Sequence, residues 1–159
     1  MKTIAHEVIE TLAAKGLSLA TVESCTGGMV AAALTDIPGS SAVVDRGFVT
    51  YSNAAKAEMV GVPMPLIDAH GAVSPEVAEA MALGALRHCN AGIAVSITGI
   101  AGPGGSEFKP EGLVCFCVAS QSGAVRQLRK EFGAIGRANV RLRSVEQALK
   151  MVLALSHDI

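Results

Sequence analysis

The sequence predicts an α/β fold: a three-layer α/β/α sandwich on a mixed, mostly parallel sheet, built as a single domain over residues 1–159. Three observations predict it. Apolar stripes at helical spacing alternate with short, nearly all-apolar runs, which is the pattern of strands covered by helices on both faces. Glycine-rich or polar turns close the runs where helices begin. Near the C-terminus two runs follow one another with only Ser120-Gln121-Ser122-Gly123 between them, an antiparallel hairpin that makes the sheet mixed.

The elements follow in order. Ile4, Val8, Ile9 and Leu12 recur at helical spacing and Gly16 stops the helix. Leu17 to Val22 reads as a strand running into Glu23-Ser24-Cys25-Thr26-Gly27-Gly28, and Met29 to Leu34 as an Ala-rich helix ended at Thr35-Asp36-Ile37-Pro38-Gly39. Val43 to Thr50 is a strand broken by Asp45-Arg46-Gly47, and Ser52 or Asn53 caps a short helix carrying Lys56. Pro63 and Pro65 mark a loop. Ser74-Pro75 starts the next helix, which continues through Val77, Met81 and Ala85 to about His88. Ile93 to Ile97 is a buried strand that ends in the glycine-rich loop Thr98 to Ser106. Leu113 to Ala119 and Val125 to Phe132 form the hairpin, and the last helix runs from about Arg137 to Leu155 with Leu142, Val145, Leu149 and Val152 on one stripe.

Composition narrows the function. The chain is 50% hydrophobic, enough for one core, and 13 Lys and Arg stand against 14 Asp and Glu for a formal net charge of −1. Without a basic run, nucleic acid is not an expected partner. Nothing resembles a signal peptide or a membrane span, so a cytoplasmic protein is expected. Cys25, Cys89, Cys115 and Cys117 have neither metal-site nor disulfide-framework spacing and read as reduced thiols; Cys115 and Cys117 share one strand face. His6, His70, His88 and His157 are scattered, so no metal site and no organic cofactor are predicted, and self-association into a homo-oligomer is left open.

Two loops have the composition of a site. Ligands in open α/β sheets gather at the carboxyl ends of strands. Ser24 stands at such an end, with backbone N–H groups and two glycines behind it, placed to act either as a nucleophile with an oxyanion hole or as a helix cap. The Thr98 to Gly105 loop is not a P-loop, because Gly105-Ser106 stands where Lys-Ser is needed; it offers an anion-binding nest or a tight connection. A lysine in a helix's first turn is disfavoured as a cation, and burial adds to this. Lys56, neutral, would then take a proton from a serine; exposed, it would do nothing of the kind. Tyr51, the only tyrosine, is either a proton relay or a packed strand residue, and Arg137 and Arg141 share a helix face as phosphate ligands or solvated charges.

Together and in this order, Glu23-Ser24-Cys25-Thr26-Gly27-Gly28, Gly47-Phe48-Val49-Thr50-Tyr51-Ser52-Asn53 with Lys56, Gly71-Ala72-Val73-Ser74, and Thr98-Gly99-Ile100-Ala101-Gly102-Pro103 resemble the CinA C-terminal domain family over nearly the whole chain. The resemblance implies a nicotinamide-nucleotide amidase acting on nicotinamide mononucleotide, with Ser24 as nucleophile, Lys56 as its base and Tyr51 as a proton-handling neighbour. It also implies substrate contacts at Thr98 and Arg137. The expected binding set is completed by Cys25, Thr26, Gly27, Gly28, Gly99, Ala101, Gly102 and Arg141. One departure is visible: where the family commonly has Gly-Asp-Arg before the last helix, this chain has Gly133-Ala134-Ile135-Gly136-Arg137, keeping the arginine and losing the acid. A module that binds nucleotide without turnover is the alternative; it would not require Ser24, Tyr51 and Lys56 jointly.

Overall fold

The structure is a computed structural model describing residues 1–159. In chain order the elements are α1 (Ile4–Lys15), β1 (Leu19–Glu23), α2 (Met29–Thr35), a 3-10 turn (Ser40–Ala42), β2 (Val44–Val49), α3 (Asn53–Val60), α4 (Met64–His70), α5 (Pro75–Arg87), β3 (Ile93–Gly99), β4 (Leu113–Ser120), β5 (Val125–Glu131) and α6 (Arg137–His157). One five-stranded sheet has the order β2-β1-β3-β4-β5. β1 pairs parallel with both β2 and β3, while β4 pairs antiparallel with β3 and β5. Four of the five strands therefore point the same way, and the terminal hairpin supplies the antiparallel half of the pairings.

Two apolar clusters make the outer layers. Val8 and Leu12 of α1, Leu34 of α2, and Leu149 and Val152 of α6 pack on one sheet face with Val95 and Phe116. Val77, Met81 and Ala85 of α5 pack on the other with Val22, Cys115 and Cys117, joined by Val60 of α3 and Ile67 of α4. The two sulfurs do share a face, and burial pushes the Cys117 thiol up to about 12. No helix is long and apolar enough to cross a membrane.

Several boundaries differ from the sequence reading for local reasons. β2 is continuous, not broken at Asp45-Arg46-Gly47; its register to β1 slips between Leu19–Val44 and Ala20–Arg46, so Asp45 is accommodated as an extra residue. Pro63 and Pro65 open α4 instead of marking a loop, because proline is tolerated in a helix's first turn. On α6 the buried arc runs from Val140 through Ala148 and Val152 to Leu149, and Leu142 falls just beyond its edge, 59% exposed.

The topology creates a site. From β1 the chain crosses through α2 to β2 on one side, and β3 is later added on β1's other side through α5 on the opposite face. The loops leaving the carboxyl ends of β1 and β3 diverge there, opening a crevice at the switch point. Gly84 of α5 helps set its position: a Cβ there would stand 1.9 Å from the Val60 carbonyl oxygen, so glycine lets α5 press against the end of the helix that carries Lys56. Gly84→Ala is expected to destabilise the fold by about 1–3 kcal/mol through overpacking, read as a lower midpoint in denaturant with an unchanged slope.

Candidate active site

Backbone bonds bring the pieces together. β1 ends level with its neighbours, Glu23 facing Val49 and Ile97. Beyond the strand, the Ser24 N–H donates to the Ile97 carbonyl at 3.0 Å, and the Thr50 N–H donates to the Glu23 carbonyl at 2.8 Å. Thr50 and Tyr51 thus lie beside the Ser24 turn. Ser52 then caps α3, its hydroxyl accepting from the Ala55 N–H at 3.0 Å, and Lys56 lies one turn into the helix.

Lys56 is 1% exposed, and its Nζ has three neighbours: the carbonyl oxygens of Thr50 at 3.0 Å and Tyr51 at 3.3 Å, and Ser24 Oγ at 3.2 Å. Two of these can only accept. A neutral amine spends its two N–H bonds on the carbonyls and turns its lone pair to Ser24, whose hydroxyl then donates; an ammonium donates to all three. One proton lies between Nζ and Oγ in either state; the ammonium state carries one more, and its serine hydroxyl must donate elsewhere. Burial pushes the amine below its ordinary value of 10.5, with the Cys25 thiol and the Glu107 carboxylate acting weakly the other way.

Ser24 is not the cap of α2. That helix begins at Gly28 without a side-chain cap, and its first amides are taken instead by the buried Glu23 carboxylate, which accepts from Val30 N–H at 2.8 Å, Ala31 N–H at 3.1 Å and the Thr26 hydroxyl at 2.6 Å. A carboxylate facing a helix N-terminus is electrostatically favoured and frees the serine hydroxyl for Lys56. Cys25, next in sequence, is no substitute nucleophile: burial pushes its thiol up to about 12.

A cleft of about 320 Å³ opens over this pair. Of the residues singled out in the sequence, Ser24, Cys25, Tyr51, Lys56, Thr98, Gly99, Ala101, Gly102 and Arg137 line it. Thr26, Gly27, Gly28 and Arg141 do not: Thr26 is fully buried against Glu23, and Arg141 approaches the turn from behind, its Nε donating to the Cys25 carbonyl at 3.0 Å. Thr98 lines the cleft with its hydroxyl committed to the Ala72 carbonyl at 2.8 Å, so it braces the wall. The Tyr51 phenol, 61% exposed, accepts from Arg137 Nη2 at 3.1 Å, while Arg137 Nη1 donates to the Gly102 carbonyl at 2.8 Å. Those two bonds tie the β2, β3 and α6 edges of the mouth together.

Sequence reasoning missed Asn53, Glu107 and Lys109. Asn53 and Glu107 line the cleft, and Lys109 Nζ donates to the carbonyls of His70 at 2.8 Å and Val73 at 2.6 Å, clasping the far wall. Asn53 was legible as a cap and as the end of a motif stretch, with no role of its own at the site. Glu107 and Lys109 sit in an irregular loop without periodicity, where no local pattern announces which way a side chain faces.

The CinA C-terminal domain family model matches residues 1–156. The nicotinamide-nucleotide amidohydrolase PncC of Enterobacter agglomerans is 49% identical over 148 residues, covering 92% of this chain and 90% of that one. A CinA-like protein of Chlorobium luteolum is 54% identical over 120 residues, which are 75% of this chain and 28% of that relative. This chain spans 28% to 34% of the length of such longer relatives. Among solved structures, the competence/damage inducible protein CihA from Agrobacterium tumefaciens superposes with a TM-score of 0.93 at 50% identity, covering 96% of this chain and 93% of that one. A CinA superfamily protein from Klebsiella pneumoniae superposes at 0.94 with 33% identity, covering 98% and 97%. Fold, motif order and these likenesses agree: the chain belongs to the CinA C-terminal domain family.

Proposed function

We propose that the chain is an amidohydrolase that converts nicotinamide mononucleotide to nicotinate mononucleotide and ammonia, with Ser24 and Lys56 as its nucleophile and base. The observation that carries this reading is the buried Lys56 side chain, whose Nζ lies 3.2 Å from Ser24 Oγ and is bonded to the Thr50 and Tyr51 carbonyls, so that once neutral its lone pair is left for the serine hydroxyl. The likeness to a protein named nicotinamide-nucleotide amidohydrolase supplies the substrate class.

Neutral Lys56 takes the Ser24 proton as Oγ attacks the carboxamide carbon. Negative charge develops on the carboxamide oxygen, and backbone N–H groups of the Ser24 turn receive it. The C–N bond then breaks; the amino group leaves as ammonia with the proton carried by Lys56. Water adds to the acyl-Ser24 ester, giving its proton to Lys56, and nicotinate mononucleotide departs as Ser24 is restored. Arg137 at the mouth is placed for the phosphate, a guanidinium being suited to bidentate oxyanion recognition. The Tyr51 phenol, bonded to Arg137, orients that guanidinium.

The test is ammonia release by the purified protein from nicotinamide mononucleotide, measured beside free nicotinamide. Turnover of the nucleotide in preference to the base supports the reading. Nucleotide binding by calorimetry without ammonia release overturns it in favour of a non-catalytic binding module.

A further inference from the structure

Three charged side chains line the cleft: Lys56, Arg137 and Glu107. Lys56 is the buried amine at the floor, and Arg137 is bonded to Tyr51 and Gly102 at the mouth. Glu107, the only carboxylate in the lining, has no part in the mechanism above. Its backbone is also unusual. Glu107 at φ 55° and Phe108 at φ 61° are the only non-glycine residues of the chain with positive φ. A glutamate held in that left-handed conformation costs energy, and such outliers point to a function for the side chain they place.

Hydrogen bonds fix where that side chain lies. The Ser24 N–H meets the Ile97 carbonyl; the next residue, Thr98, donates its hydroxyl to the Ala72 carbonyl at 2.8 Å; and the Ala72 N–H donates to Glu107 Oε1 at 3.4 Å. Thr98 and Glu107 thus hold one residue between them and belong to one wall. Gly71 leaves the carboxylate its seat, since a Cβ there would collide with Glu107 Oε2. Lys109 does not capture it. The lysine Nζ is committed to the His70 and Val73 carbonyls and lies 3.8 Å from Glu107 Oε2, beyond hydrogen-bond reach, and Lys109 is not among the residues lining the cleft. Lys109 therefore balances the charge from behind while the carboxylate, in a side chain 37% exposed, stays open to a ligand. Its field reaches the reacting centre, because it favours the protonated form of Lys56.

A pyridinecarboxamide joined to ribose through its ring nitrogen carries a permanent positive charge at that atom, whereas the free base does not. With Lys56 neutral, the charges left in the cleft are one guanidinium and one carboxylate. The nucleotide brings the complement, a phosphate and a cationic ring. We propose that the Glu107 carboxylate is the counter-ion of the substrate's charged ring and gives the cleft its preference for cationic, N-ribosylated pyridinecarboxamides over uncharged ones. This rests on the amidohydrolase reading above, which places the carboxamide at Ser24 and the phosphate at Arg137. A charge pair present before and during the reaction contributes to binding rather than to kcat.

The experiment measures binding by calorimetry to Ser24→Ala protein, which cannot form the acyl intermediate, and to the double variant Ser24→Ala/Glu107→Gln. The ligands are nicotinamide mononucleotide and its reduced form, whose dihydropyridine ring is uncharged while its carboxamide, ribose and phosphate are the same. Ser24→Ala protein is expected to bind the oxidised form about 10-fold more tightly, as one charge pair in a partly solvated cleft would give. Glu107→Gln keeps an oxygen for the Ala72 N–H and removes the charge. It should weaken the oxidised form about 10-fold and leave the reduced form within about twofold. Equal weakening of both, which a ribose contact or a loosened wall would produce, overturns the proposal, and so does a preference that survives in the Gln variant. Equal affinities in Ser24→Ala protein, or no binding of either form, overturn it without any change at Glu107. If the Gln variant does not fold, sodium chloride makes the comparison: screening should narrow the preference, and a preference indifferent to salt overturns the proposal. Ammonia release by the parent is read separately. A parent that releases none defeats the amidohydrolase reading, while a preference that depends on Glu107 still stands.

Discussion

Ser24→Ala protein is expected to release ammonia from nicotinamide mononucleotide at least about 10³-fold more slowly than the parent, because the acyl intermediate can no longer form. The fold should tolerate the change. The Ser24 N–H would still meet Ile97, and only a hydroxyl facing a cleft is removed. Cys25 cannot take over the attack, since its thiol, pushed up to about 12, stays protonated at neutral pH. Substrate affinity measured by calorimetry should be nearly unchanged in the variant. A rate like the parent's would remove Ser24 from the mechanism.

Lys56→Met is expected to lose about 10²–10⁴-fold in kcat, the usual contribution of a general base, and to lose with it the acid limb of the pH profile. In the parent that limb should rise with pH, since only the neutral amine accepts the serine proton. Its midpoint should lie below the ordinary lysine value, because burial lowers the amine's pKa. The same shift has a consequence for stability. Between the lowered folded value and 10.5 the unfolded chain binds more protons than the folded one, so this group's contribution to stability rises with pH across that window. Lys56→Met should therefore gain most on the parent below the window and lose that advantage as pH rises through it. Urea denaturation at several pH values measures the difference between the two proteins. A constant difference across the range would show that Lys56 titrates like an exposed lysine.

Both predictions turn on a pair that no local pattern links. Ser24 and Lys56 are 32 residues apart, and each had an ordinary alternative in the sequence, a helix cap and an exposed surface charge. The cap is excluded by Glu23, whose carboxylate already holds the first amides of α2. The exposed charge is excluded by Thr50 and Tyr51, which are carried next to β1 when β2 pairs with it in parallel and which then accept from Nζ. Motif order was enough to name the two residues through the family resemblance; their meeting is a property of the sheet.

The remaining expectations divide along the same line. Helices, the central strands and the hairpin were legible because hydrophobic period, caps and turn chemistry are local: Gly16 ends α1, Ser74-Pro75 opens α5, and the Ile93 to Ile97 run, apolar except for Ser96, belongs to the strand buried between β1 and β4. What tertiary structure decided is direction and proximity. It turned Arg137 into the mouth and Arg141 behind the nucleophile turn, although the two are one helical turn apart; it committed the Thr98 hydroxyl to a wall carbonyl; and it brought Glu107 from an unpatterned loop to the cleft and bonded Lys109 to carbonyls of the far wall. A side chain's partner is chosen by the long-range pairing of strands and the packing of helices over them, and that information is spread over the whole chain. The sequence by itself determined which chemistry was available, an α/β sheet with serine, lysine and arginine near its strand ends; only the folded sheet decided which of them act on one another.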